Sequence, residues 1–466
     1  MTLVKKISTD INKVISNGYC VGCGSCVVKA KKNAMQLNNY GQYIPKLSTK
    51  DNIDKNDKYC PFSSKSLNEN EISKIVFKNK SMKYNPYLGK YKSVHVGFEK
   101  SSLNLRKSSS SGGLTTWLLH ELMLKGDIDA FISVGWSSKK KIFQYQIFDN
   151  LKKIKDSSKT RYYPVEFSQV IKNIDKNKKY AFVGVPCYIK ALRNHSIHNP
   201  VIKNSIKYYV SILCGHQKNR LYFDHILKSL KVLKKDISSF DFRHKIKDKP
   251  ANKYGIEVNT VFKKKIITPV KNVFANDWGL NFFKYKACDF CDDVSGETAD
   301  ISFGDAWLNK EAKDYRGHNI VVNRNLKLES ILKEGMNNKS ISLRRSNTKE
   351  FFLSQKSSYN HRREGLMVRI NEKKDNNDWY PKKRNFKKNF NLKLNIIKKY
   401  RQRVILQKLS NVKYVSKKLY FKTIIPIIKY HYYSKNLLKF LVRESLRILL
   451  NLLNNIKKIL FIKYKF

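Results

Sequence analysis

The clearest helical pattern in the chain falls just after a run of serines and glycines. Leu114, Trp117, Leu118 and Leu122 repeat at the spacing of one helical face, and Gly126 stands where such a helix would stop. A different pattern follows. Asp129–Gly135 (DAFISVG), Lys179–Val185 (KYAFVGV) and Lys207–Leu213 (KYYVSIL) are short apolar runs bounded by polar residues, the pattern of buried strands. Pro186 and the segment YIKALRNH after it have helical character. Asp300–Trp307 (DISFGDAW) and Gly317–Asn323 (GHNIVVN) add two more strands between turn residues. Helix and strand alternate, so the expected class is α/β, or α+β for the chain as a whole.

Four regions follow from these patterns. Residues 1–85 form a small cluster-binding domain, and Ser81–Tyr91, with Pro86 and Gly89, reads as a linker. Residues 90–345 form the central α/β domain, 346–380 a connecting segment and 381–466 a basic helical tail. In the tail, Val442, Leu446, Leu449, Leu453, Ile456 and Leu460 alternate steps of four and three with Arg, Asn and Lys between them, an amphipathic helix. There is no internal repeat.

Charge changes the picture mainly at that end. The 466 residues carry 94 Lys and Arg against 36 Asp and Glu, a net +58. Between Pro381 and Phe466 the only acid is Glu444. Three partners for the tail remain open: an anionic membrane surface, the protein's own core or a partner chain, and, least favoured, nucleic acid. Hydrophobic residues at 41% and aromatics at 12% exclude a wholly disordered chain. No apolar run reaches the roughly 18–20 residues that span a bilayer, and the opening segment lacks a signal-peptide core. A cytoplasmic, reducing location is the expectation, with the inner membrane face one of the open places for the tail.

The eight cysteines carry the chemistry. They are too dilute for a disulfide scaffold and fall into two sets of four. CVGCGSC places Cys20, Cys23 and Cys26 at C-x2-C-x2-C spacing, with Gly22 and Gly24 letting the backbone bend around a cubane. Ala30 and Lys31 stand where a two-cluster ferredoxin run would continue, so Cys60, followed by Pro61, is the natural fourth ligand. The competing reading is structural zinc, which usually takes cysteines as two separated pairs. Cys187 and Cys214 each follow a predicted strand. If those strands are parallel, both cysteines emerge at the carboxyl edge of one sheet, where such sheets hold ligands. Cys288 and Cys291 (CDFC) would complete a second set of four. Two small buried hydrophobes are the alternative for Cys187 and Cys214. Ser108–Gly113 (SSSSGG) opens the first helix and could cradle a phosphate with backbone N–H groups, or simply cap that helix. His216 and Lys159 lie beside these motifs, where structural roles are favoured over catalytic ones.

Taken together and in order, CVGCGSC, YCPF, RKSSSSGGLTT, TRYYPV, FVGVPCYIKALR, ILCG, FDFRHK, ACDFC and ADISFGDAW resemble the coenzyme F-420 (deazaflavin) hydrogenase/dehydrogenase beta-subunit family, over residues 15–325. The resemblance implies an iron-sulfur flavoprotein with a ferredoxin-like 4Fe-4S domain and an FAD-binding central domain. It makes Ser110, Ser111, Gly112, Gly113 and Thr116 part of the flavin-phosphate loop, and Thr160, Arg161 and Tyr162 a flavin-contacting segment. Cys20, Cys23, Cys26 and Cys60 become the ferredoxin-type cluster site. Cys187, Cys214, Cys288 and Cys291 make the chain similar to members with two 4Fe-4S clusters. The implied activity is an oxidoreductase moving electrons from a donor such as reduced ferredoxin, through the clusters and FAD, to a two-electron substrate. That substrate is deazaflavin-like or, as for related sequences tied to surface-polysaccharide biosynthesis, lipid-linked. The alternatives are an electron-transfer subunit with no substrate of its own, and a zinc-stabilised nucleic-acid binder, against which CVGCGSC argues. No catalytic acid or base is assigned.

Overall fold

The structure is a computed structural model that describes residues 10–30, 34–46, 53–273, 276–384 and 392–411. The chain divides into two units, Met1–Gln407 and Lys408–Phe466. Every cysteine and the whole of the large sheet lie in the first. The amphipathic helix expected near residues 442–460 lies outside the described residues.

The centre of the first unit is a mixed eight-stranded sheet. Four parallel strands form its middle: Ala130–Ser137, Tyr180–Gly184, Ile206–Ile212 and Ile301–Asp305. Ile142–Phe148 closes one side antiparallel. On the other side Asn319–Asn323, Ser93–Glu99 and Ile341–Arg345 add three antiparallel strands. Alternate residues feed two cores, as the twofold period of a strand requires. Phe131, Ala181 and Val183 face one side, where Leu114, Trp117, Leu118 and Leu122 of helix Leu114–Leu124 cover them together with helix Leu326–Asn337. Ile132 and Phe182 face the other side and meet Tyr188, Ile189 and Leu192 of helix Pro186–His198. The same core takes in Val14, Tyr19, Val21, Cys23 and Phe62 from the first 85 residues. Tyr180–Gly184 is buried along its whole length, which explains its unbroken apolar sequence.

Ser81–Tyr91 is a hairpin rather than a linker. Lys83–Asn85 pairs with Gly89–Tyr91, and the buried Arg324 guanidinium donates to Lys90 O at 2.9 Å and Leu88 O at 3.0 Å. Pro86 and Gly89 serve a turn held by a residue more than 230 positions away. The stretch 346–380 carries three helices, Thr348–Ser354, Lys356–Arg362 and Glu364–Asp375. A separate three-stranded antiparallel sheet, Ile237–His244, Gly255–Thr260 and Lys265–Pro269, has a register shift between Asp241 and His244 that falls on Phe242 and Arg243.

Candidate cysteine sites and a cationic loop

Cys20, Cys23 and Cys26 lie on a loop whose sharp bends fall at Gly22 (φ +72°) and Gly24 (φ +82°). A side chain at Gly24 would bring its Cβ to 2.6 Å from Glu166 Oε2, so only glycine fits both the angle and the space. The loop's carbonyls are tied down by the rest of the fold. Tyr188 Oη donates to Val21 O at 3.1 Å, Phe167 N–H to Cys23 O at 3.0 Å, His195 Nε2–H to Ser25 O at 2.7 Å and Asn56 Nδ2 to Cys26 O at 3.0 Å. Ser25 Oγ donates to Tyr59 O at 3.0 Å, next to Cys60, and the Tyr59 ring stacks on His195 at 3.8 Å. All eight cysteines are free thiols, with Cys23 and Cys26 buried and Cys20 and Cys60 half-buried.

Burial pushes the Cys20 thiol up to about 11 and that of Cys60 up to about 12. It raises Cys23 and Cys26 well above the usual range, with neighbouring sulfurs adding to the effect. Backbone N–H groups at Gly22, Ser25, Phe62 and Ser63 oppose the shift by donating towards sulfur. N–H donors around otherwise uncompensated thiols suit a group that supplies positive charge and leaves sulfur electron-rich, as an iron-sulfur cluster does. The donor set therefore fits.

The second four cysteines come from three distant parts of the chain to one recess. Cys187 opens the helix after strand Tyr180–Gly184, and Cys214 follows strand Ile206–Ile212. The two strands are parallel, so the cysteines leave at the same edge. Cys288 and Cys291 arrive on the turn Lys286–Phe290 and its end. All four line one tight recess with Val21, Phe62, Gln217, Asp293 and Arg362. Gln217 donates to both Cys288 Sγ, at 3.3 Å from its backbone N–H, and Cys187 Sγ, at 3.7 Å from its side chain. Among the described residues, no three His, Cys, Asp or Glu side chains stand at the mutual spacing of ligands to one ion. Val21 and Phe62 belong to the first cysteine region, which places the two sets side by side.

The serine-glycine loop sits at the same sheet edge, against the paired ends of Asp305 and Asn319. Ser110 Oγ accepts from Thr160 N–H at 2.8 Å, Ser111 Oγ donates to His318 O at 2.8 Å, and Thr116 Oγ1 meets Ser158 Oγ at 3.1 Å. Thus the two segments expected to contact flavin are in contact with each other. No serine caps the helix. Its N-cap is Gly113 (φ +82°), and Leu114 N–H goes instead to Asn319 Oδ1 at 3.1 Å. A Cβ on Gly112 would lie 2.7 Å from Asn319 N, so tight packing within the protein explains this glycine.

Five cations surround the loop. Arg106 pairs with Asp314 at 2.9 Å, Lys159 with Asp241 at 2.7 Å and Arg243 with Asp305 at 2.6 Å. Lys245 Nζ donates to the carbonyls of Arg106 and Ser111, and burial together with Lys159 and Arg106 pulls its pKa down to about 7. Arg161 spends one nitrogen on Ser158 O at 2.6 Å, and its Nε and Nη1 are buried without a partner. Burial pulls it down to about 10. An excess of buried cations at a sheet edge is a seat for an anionic group such as a pyrophosphate. Arg106, Arg243 and Lys245 were not singled out from sequence, although RKSSSSGG and FDFRHK contain them.

An aromatic bridge links this loop to the second cysteine recess. The Tyr162 ring lies 4.6 Å from Trp278, and Trp278 lies 4.4 Å from His216, two residues after Cys214. His216 is held neutral by burial and by Lys218. Lys159, with its ion pair and positive φ of 81°, is accounted for structurally.

Two family profiles match the chain, and both describe the coenzyme F420 hydrogenase/dehydrogenase beta subunit. The profile of its N-terminal part covers residues 99–172, and that of its C-terminal part covers residues 177–349. The chain belongs to this family. It is therefore related to subunits of hydrogenases and dehydrogenases, which are oxidoreductases. The matched region contains the cationic loop and Cys187, Cys214, Cys288 and Cys291, while Cys20 to Cys60 and Arg362 lie outside it. No curated protein matches the chain. Among solved structures, a chain in "Xenon derivatization of the F420-reducing [NiFe] hydrogenase complex from Methanosarcina barkeri" is similar at 18% identity and a TM-score of 0.49, over 65% of this chain and 99% of that one. No helix among the described residues is long and apolar enough to cross a membrane.

Proposed function

We propose that this family member is an iron-sulfur flavoprotein oxidoreductase. It would hold one 4Fe-4S cluster on Cys20, Cys23, Cys26 and Cys60, a second on Cys187, Cys214, Cys288 and Cys291, and FAD at the Ser110–Thr116 loop with Thr160, Arg161 and Tyr162. The observation that carries the reading is the meeting of four cysteines from distant segments in one recess, bordered by Val21 and Phe62 of the first set. When bound, these groups supply one-electron transfer at the clusters and two-electron transfer at the flavin. The protein's own part is to bind and orient. Gln217 and the loop N–H groups donate to sulfur, while Arg161 and Lys245 offer charge to a phosphate. Trp278 and His216 stand between the two regions.

The reading extends to an external one-electron donor such as reduced ferredoxin and a two-electron acceptor that is deazaflavin-like or a lipid-linked polysaccharide precursor. A second reading, an electron-transfer subunit feeding a partner enzyme, is favoured by the family's description as a beta subunit. Turnover of the isolated chain with an artificial donor separates the two. Residues 381–384 and the helix Leu394–Ser410 pack on the protein itself through Arg384 and Tyr400, and the basic tail beyond them is proposed to rest on an anionic membrane surface, tested by liposome sedimentation with and without residues 412–466.

The deciding experiment is anaerobic purification with iron, acid-labile sulfide and FAD counted per chain. About eight iron, eight sulfide and one FAD are expected. Four iron with FAD would confine cluster chemistry to one cysteine set, and zinc without flavin would refute the reading.

A further inference from the structure

We infer that Arg362 is a tuning residue that makes the second cluster the stronger electron acceptor of the two and so directs electrons from the first cluster inward. The inference rests on the two-cluster reading above. Arg362 ends helix Lys356–Arg362 and is only 1% exposed. Its side chain lines the recess with all four cysteines of the second set. One nitrogen donates to Cys214 O at 2.7 Å, which fixes the guanidinium, and the buried remainder of the group faces the sulfurs of Cys291, Cys214 and Cys288. Among the described residues no carboxylate pairs with it. Asp293, on the same recess, already accepts from the N–H groups of Gly296 at 2.8 Å and Glu297 at 3.0 Å. A buried guanidinium turned to sulfur, with no carboxylate counter-ion among the described residues, implies an anion that it was built to meet.

A cluster held by four thiolates is such an anion, and it gains one further negative charge on reduction. A fixed cation beside it favours the reduced form, more strongly because the site is buried. More cations stand nearby: Lys284 and Arg369 both pair with Asp289, and Lys383 and Arg384 face Asp292, which follows Cys291. His361, beside the first two, is kept neutral by burial and Lys284.

Arg362 and Lys284 act on the second set's thiols, whereas among the described residues no cation ranks among the influences on the first set's thiols. Asp57 approaches the first set, accepting from Ile11 N–H at 2.9 Å, and Glu166 packs against Gly24. Its buried histidine, His195, is neutral, with burial pulling it down to about 4. Lys29 and Lys58 lie outside the Tyr59 ring, at 6.0 and 5.4 Å, where solvent screens them. One electron leaving the first cluster, re-reduced by a low-potential donor of the ferredoxin class, therefore reduces the second by one, downhill.

The test is redox potentiometry on the full-length, cluster-loaded protein, followed by electron paramagnetic resonance, with Cys23→Ser assigning the first cluster's signal. In the wild type the second cluster's reduction equilibrium is expected to be at least tenfold more favourable, which is 59 mV for one electron. In Arg362→Gln that equilibrium falls at least tenfold with the first cluster unmoved, and Arg362→Lys restores most of it. Equal or inverted wild-type potentials overturn the inference even if a variant fails to hold iron. Eight irons with an unmoved second potential in Arg362→Gln refute the role of Arg362 alone, whereas four irons in the wild type refute the two-cluster reading as well.

Discussion

Arg161 offers a substitution with effects of opposite sign on stability and on binding. Its Nε and Nη1 atoms reach neither partner nor solvent, and the nearby Asp241 is already engaged by Lys159. Each buried unmade donor costs about 1–3 kcal/mol. Against that stand one hydrogen bond to Ser158 O and a cation–π contact at 5.0 Å from the Phe143 ring, together about 1–2.5 kcal/mol. Arg161→Met keeps the bulk and removes the charge, so the flavin-free protein should gain about 1–3 kcal/mol in denaturant unfolding. With FAD bound, two charge-assisted hydrogen bonds to phosphate would be lost at about 1.5–3 kcal/mol each, roughly two to four decades in affinity. Titration of FAD fluorescence quenching measures the second quantity. Affinity within threefold of wild type, or a flavin-free protein weakened by about 1 kcal/mol or more, would refute the assignment of Arg161 to the phosphate.

Other expectations concern separate parts of the molecule. Cys23→Ser should leave about four iron per chain and full FAD binding while donor-driven turnover is lost; intact turnover would remove the first cluster from the electron path. Lys245 has a folded pKa of about 7 against 10.5, so the unfolded chain binds the proton more tightly and stability rises from pH 7 towards 10. In flavin-free Lys245→Met part of that rise should vanish, and identical slopes in unfolding at pH 7 and 9.5 would count against it. Gly113→Ala places a Cβ 2.7 Å from Arg106 N at φ +82° and should cost about 1–3 kcal/mol in thermal or denaturant unfolding, whereas an unchanged midpoint would contradict the packing argument.

What could be read in the sequence was local. Runs such as AFVG and YYVSI show a central buried strand because both faces are covered, and placing Cys187 and Cys214 after two such runs was enough to expect them at one edge. The helix at Leu114–Leu124 and its stop near Gly126 (φ +68°) were legible from spacing alone. The unforeseen parts are bonds between remote residues. Asn319 caps a helix 205 positions earlier, and Arg324 holds the turn at Leu88. Arg362 emerges from a stretch that composition marks only as a connection. Lys245 follows a register shift in a strand, and a bulge turns side chains in ways that alternation does not foretell.

The ties that shape the first cysteine loop bear on the order of biosynthesis. Cys20, Cys23 and Cys26 leave the ribosome early, but Phe167, Tyr188 and His195, which fasten Cys23 O, Val21 O and Ser25 O, come some 140 to 170 residues later. At roughly 5–20 residues per second the three thiols wait about 10–30 s before their scaffold exists. Throughout that interval they are open to oxidation and to stray metals. On the proposed two-cluster reading, cluster insertion at this loop waits on completion of the central sheet, so a shortage of iron or an oxidative burst would strike nascent chains before it touched finished ones.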